Sequence, residues 1–194
     1  MKKLIILFII FLTLIGITGC NKKDYSEKEI LEITKTPALY FRGKSYNEFD
    51  TNDIIMIVSN DLIPLDSNGK TKEEISKFVY KRFGIKDFII EEGQYKNTID
   101  YEENILPYIE IKESDGLFTS NNGARSTGQN ELQNIYQSFE NKNNQIIVHY
   151  LYAKKVEDIN NNKIDIQDKT ANVDFYLEKM DNNLILKKIV YTEI

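Results

Sequence analysis

Two residue types that build much of enzyme chemistry are nearly missing: the 194 residues hold one cysteine, Cys20, and one histidine, His149. A lone cysteine leaves no intramolecular disulfide, so an exported form must hold itself together by its core alone. A lone histidine excludes a histidine-pair metal site and any Cys/His or Ser/His/Asp set with a choice of bases. Its mid-strand place, opposite in parity to Val148 and Tyr150, reads as a surface or partly packed residue; the functional alternative is a general base. Gly116, Gly123 and Gly128 are spaced for turns and do not form a phosphate-binding G-x-G-x-x-G loop. There is no Lys/Arg cluster and the formal net charge is −5, which gives the chain no electrostatic reason to seek nucleic acid or anionic head groups.

The remaining candidate chemistry is thin. Asp158, Asn160 and Asn162 have the first, third and fifth positions of a calcium loop, but Lys163 stands where glycine is needed and Lys169 where a bidentate glutamate belongs. An Asn-rich hairpin tip accounts for them better. Glu91-Glu92 and Glu102-Glu103 are adjacent acids on loops, which solvate separately and make no argument for glycoside hydrolysis. No catalytic residue, metal or cofactor is expected, and the chain reads as a binding protein rather than an enzyme.

What is present begins at the N-terminus. Lys2 and Lys3 precede an almost unbroken apolar run over residues 4–15, followed by Ile17-Thr18-Gly19-Cys20. The run suits a secretory signal and falls short of the roughly 20 apolar residues that span a bilayer. The tetrapeptide resembles the lipobox of bacterial lipoproteins. That resemblance implies cleavage before Cys20, a diacylglyceryl thioether on its sulfur, and an extracytoplasmic domain anchored in the cell membrane by its lipid. Two or three acyl chains anchor stably where one binds marginally. Loss of residues 1–19 leaves 175 of 194 residues and removes Lys2 and Lys3, taking the formal charge from −5 to −7. The Asn/Lys/Ile bias suits a low-GC Gram-positive source.

The expected organisation is a signal peptide over 1–19, a lipid-anchored tether over 20–36 and one globular domain over 37–194. The second half of the tether has the makings of a short helix ending before Pro37. The short apolar run at 54–59 reads as a strand by its length. Thr71 and Glu74 form a capping box for a helix over 72–83, with Ile75, Phe78, Val79, Arg82 and Phe83 at helical spacing and Gly84 as its stop. Beyond it the pattern is strand: 108–112 and 117–120 flank Asp115-Gly116 as a hairpin, and residues 121–130 form a loop. Residues 134–140 lean to strand although Leu132, Ile135, Tyr136 and Phe139 have helical spacing. The stretches 146–152, 171–178 and 184–191 make a C-terminal antiparallel meander. The fold class expected is α+β, with this sheet packed on one or more N-terminal helices.

Most of the twelve tyrosines and ten phenylalanines fall on strand patterns and serve packing. A surplus on an exposed sheet face would suit a binding surface, with Tyr150, Tyr152 and Tyr176 as candidates. The stretches Lys70 to Phe83 (KTKEEISKFVYKRF) and Tyr108 to Arg125 (YIEIKESDGLFTSNNGAR), then a meander, resemble small exported Firmicute proteins of the cell-wall DL-endopeptidase inhibitor family. The likeness covers about half the mature chain and departs from the pattern at D-G-L-F and G-A-R-S. It implies a cystatin- or NTF2-like fold, a wall hydrolase as protein partner, and Arg125, in the loop 115–129, as a contact residue. The alternative is a small-molecule module with a pocket between helix and curved sheet.

Overall fold

The computed structural model describes residues 24–41, 43–65, 67–96, 108–121, 132–158 and 163–194. Among the described residues the fold is α+β: three helices and two antiparallel four-stranded sheets, with the C-terminal meander packed against the helices.

Helix α1 (Glu27–Tyr40) starts with a capping box, in which Glu29 N donates to Ser26 Oγ at 3.3 Å and Ser26 N to Glu29 Oε2 at 2.9 Å. It runs through Pro37 and closes with Phe41 N donating to Pro37 O at 2.7 Å. The folded part therefore begins about ten residues before the expected boundary at 37, and most of the expected tether is helix. Proline costs the helix one backbone bond, but burial of Ile30, Thr34, Ala38 and Tyr40 on both sides of it holds the helix together.

Helix α2 (Thr51–Asp61) corrects the expected strand at 54–59. Asp50 and Asp53 form a second capping box, and residues 53–59 are all buried. A helix surrounded by protein has no polar face, so its sequence carries no helical period. Strand β1 (Lys70–Thr71) leads into α3 (Lys72–Phe83), which matches the expected helix in span, cap and buried stripe. Gly84 ends it at φ +75, a conformation that favours glycine, and a Cβ there would crowd Ile185 Cδ1 at 3.0 Å.

Strands β2 (Gly93–Lys96), β3 (Tyr108–Ser114) and β4 (Leu117–Ser120) complete a small sheet of order β1-β4-β3-β2. Asp115 and Gly116 both have positive φ, the requirement of a type I′ hairpin turn. The large sheet runs β5 (Leu132–Lys142), β6 (Gln145–Asp158), β7 (Lys163–Met180) and β8 (Asn183–Glu193), each paired with the next. The lean to strand at 134–140 holds. Ile146, Val148, Val173, Phe175, Leu177, Leu184 and Leu186 pack with the helices in one core.

Among the described residues β6 and β7 outrun their neighbours. Within these residues, pairing to β5 runs as far as Leu132↔Lys154 and pairing to β8 as far as Ala171↔Glu193, while β6 and β7 stay paired to Asp158↔Lys163. The overhang is a two-stranded ribbon, set off by a register shift at Tyr152/Lys154 and by Asp168 at φ 47. The rest of the proposed hairpin tip, residues 159–162, lies outside the described residues.

Candidate functional site

The candidate site is a groove of about 760 Å³ between α1 and the β5 edge of the large sheet. Its floor is Leu31, Ala38, Leu39, Tyr136 and Tyr150; Glu27, Lys28, Glu32 and Lys35 stand on its rim. The helix is fixed beside the sheet by side-chain bonds. The hydroxyls of Thr34 and Tyr150 share a hydrogen bond of 2.7 Å, and Asn134 Nδ2 donates to Ala38 O and Phe41 O, both at 3.0 Å. These carbonyls belong to the unpaired C-terminal end of the helix, so Asn134 does the work of a cap from a distant strand. Because two carbonyls fix which end of the amide is nitrogen, Asn134 Oδ1 must face the other way, where no donor among the described residues meets it.

The phenols of the groove resist ionisation. Burial first, then the hydrogen bond to the Glu27 carboxylate, pushes Tyr136 up to about 12. Burial pushes Tyr150 up as well, against the Thr34 hydrogen bond. The two rings meet edge to face with centroids 5.8 Å apart. At physiological pH both are neutral, and the site offers an apolar wall and a mixed-charge rim.

Tyr150 is only 5% exposed, so it is not the surface contact expected of it. It pairs with Val173 and stacks 4.8 Å from Phe175, on the core face. Tyr152 shares that face, half-buried, edge-on to Tyr191 at 5.6 Å. Tyr176 pairs with Ile147 on the opposite face, under Lys188 Nζ at 4.4 Å from its ring centre. The three tyrosines do not form one surface. Cys20 and Arg125 lie outside the described residues.

His149 sits on the outer face with Nδ1 2.7 Å from Asp174 Oδ1 and Nε2 3.8 Å from Glu140 Oε1. Ser138 is its register partner on β5, so Ser138, His149 and Asp174 make one row across three strands. No hydrogen bond joins the serine to the imidazole among the described contacts, and none of the described cavities includes the row. The carboxylates approach opposite ring nitrogens and cannot converge on one ion; among the described residues no group of three acids, histidines or cysteines is placed to hold a metal.

One arrangement escaped sequence reasoning. Arg82 Nη2 pairs with Asp61 Oδ2, Nη1 donates to Glu32 O at 3.1 Å, and Thr36 Oγ1 donates to Asp61 Oδ1 at 2.5 Å. The paired side chains are 10% and 16% exposed, and they join all three helices behind the groove. The signal was Arg82 itself, a charge in the apolar row Ile75, Phe78, Val79 of α3.

Comparison with protein-family models, curated proteins and solved structures finds no match for the chain. Among the described residues no helix is long and apolar enough to cross a membrane.

Proposed function

We propose that the chain is an extracytoplasmic lipoprotein, anchored in the cell membrane through lipid on Cys20, whose domain binds a ligand without transforming it. The observation that carries the binding role is the α1/β5 groove: its volume of about 760 Å³ and its apolar floor with a polar rim match the usual form of a ligand site. The ligand that fits is a small amphipathic molecule, with its apolar body along Leu31 and Leu39 and its polar end at the Lys28/Glu32 rim.

The test uses the lipid-free domain, residues 21–194, and the fluorescent amphiphile anilinonaphthalene sulfonate. Leu31→Glu places a charge in the groove, and Leu117→Glu, at a residue 38% exposed elsewhere, is the control. Probe fluorescence lost in the first variant and kept in the second supports the groove; equal binding by both variants sinks it. An envelope lipid extract should compete for the same site.

A second reading is supported by the ribbon. A long paired hairpin is an element that an inhibitor of a wall hydrolase could present, and the resemblance noted above implies such a partner. Capture of a wall hydrolase from an envelope extract, weakened by Arg125→Ala or by trimming the ribbon, would favour this reading; capture unaffected by both would remove these elements from it.

A further inference from the structure

The tether is far shorter than the sequence suggests, and this bears on how the domain stands on its membrane. Tyr25 already packs against the core and Ser26 caps α1, so only residues 21–24 separate Cys20 from the fold. Five Cα steps reach at most about 18 Å.

Where those steps end is defined. Tyr25 and Glu29 line one hollow with Asn182, Asn183 and Leu184, at the β7–β8 turn. The neighbouring β5–β6 turn is tied to this end by Lys179 N donating to Asn144 O at 2.9 Å and by Lys179 Nζ donating to Asn141 Oδ1 at 3.0 Å. The tether therefore leaves the domain at the end of the sheet that carries both tight turns. The ribbon is at the other end of β7, an 18-residue strand, roughly 50 Å away.

We propose that the turn end of the sheet rests on the lipid head groups and that the ribbon is held away from them, as the membrane-distal, presenting end. This rests on the lipidation of Cys20 proposed above. Charge is not what sets the orientation, because in the hollow Lys28 and Lys81 stand with Glu29 and Glu32, and Arg82 is paired with Asp61. The covalent lipid and the short tether set it, so a zwitterionic bilayer suffices. The consequence for binding is direct: a partner of the ribbon is met outside the head-group layer, while the groove along α1 opens beside it.

The experiment uses the mature chain, lipidated by the cell, in phosphatidylcholine vesicles carrying a head-group energy acceptor. Cys20 is the sole cysteine and its sulfur is consumed by the lipid, so Asn182→Cys and Asp165→Cys each supply one thiol for a donor dye, at the turn end and on the ribbon. Flotation with the vesicles is read first. Energy transfer about threefold or more stronger from position 182 than from 165 is expected for ends roughly 50 Å apart. Inserting twenty Gly/Ser residues between Lys23 and Asp24 should bring the two signals together, because a flexible linker of that length spans roughly 25 Å and lets the domain turn. Equal transfer without the insertion, or stronger transfer from 165, overturns the orientation. A chain that fails to float overturns the anchor, and the orientation with it.

Discussion

Between the helices the charged and polar side chains are few, buried and locked; on the outer face of the large sheet they are numerous, paired and wet. Asp61, Arg82 and Thr36 knit α1, α2 and α3 at one point, and Thr34 with Tyr150 and Asn134 with two carbonyls fix α1 to the sheet. Lys142 with Glu140, Lys187 with Glu178 and His149 with Asp174 sit on strands with water beside them. The sheet owes its order to an apolar ladder and continuous backbone pairing, so its ion pairs are replaceable. The helical layer joins its apolar core to a handful of buried polar contacts whose partners cannot be removed singly without leaving a buried group unpaired, and the groove is bounded by that layer.

The sharpest way to break this comparison is Asp61→Ala. It strands the Arg82 guanidinium, which burial already draws below its ordinary pKa against the pull of Asp61. Removing one partner of a buried pair costs about 3–5 kcal/mol, and urea unfolding should show it. Replacing both, as Asp61→Leu with Arg82→Met, should recover most of the loss, because apolar residues of similar volume often match a buried ion pair. If the double variant is as unstable as the single one, the lock does more than satisfy charge. Next in size is Tyr150→Phe, which leaves the Thr34 hydroxyl its bond to Ile30 O and should cost about 1 kcal/mol. The same variant should loosen α1, read as faster amide exchange over residues 27–40.

The two regions also differ in how far their sequences can be read. In the meander, Ala171, Val173, Phe175 and Leu177 alternate with Asn172, Asp174, Tyr176 and Glu178, and the first set is buried while the second is not. One face meets helices and the other water, so composition and geometry share a period of two. Helix α3 is legible for a similar reason, through Thr71, Glu74 and its stripe. Helix α2 is buried on every side and erases its own period. Helix α1 crosses Pro37 because Tyr40 and Phe41 are buried beyond it, a tertiary fact with no local mark. The groove is likewise illegible, since it exists only where α1 lies beside β5, 90-odd residues away in sequence. Tyr150 was readable in principle: it shares parity with Val148, and a core Val148 takes Tyr150 inward with it.

A smaller effect is expected at the groove at high pH. A tyrosine whose folded pKa lies above its unfolded value near 10 contributes stability that is fully present below pH 10. That contribution is lost as pH rises through the folded value. Tyr136, held up to about 12 by burial and Glu27, should therefore make the urea midpoint fall between pH 10 and 12. Tyr136→Phe should make that part of the profile shallower, with Tyr150 and Tyr191 still contributing, and leave the curve below pH 10 with its original slope. An unchanged profile would mean that neither burial nor the Glu27 contact holds the phenol in solution, and that the groove is open at Tyr136.

At the small end stands Lys187→Ala. Its ammonium is 3.5 Å from Glu178 Oε2, and both side chains are 42% exposed. Attraction at such a pair is screened by water and salt and opposed by the entropy of holding two long chains still. The urea midpoint should be indistinguishable from that of the wild type at physiological ionic strength, and raising the salt should leave the difference at zero. A loss comparable to that of Tyr150→Phe would erase the contrast between the two regions. It would show that the outer face of the sheet is organised by its charges.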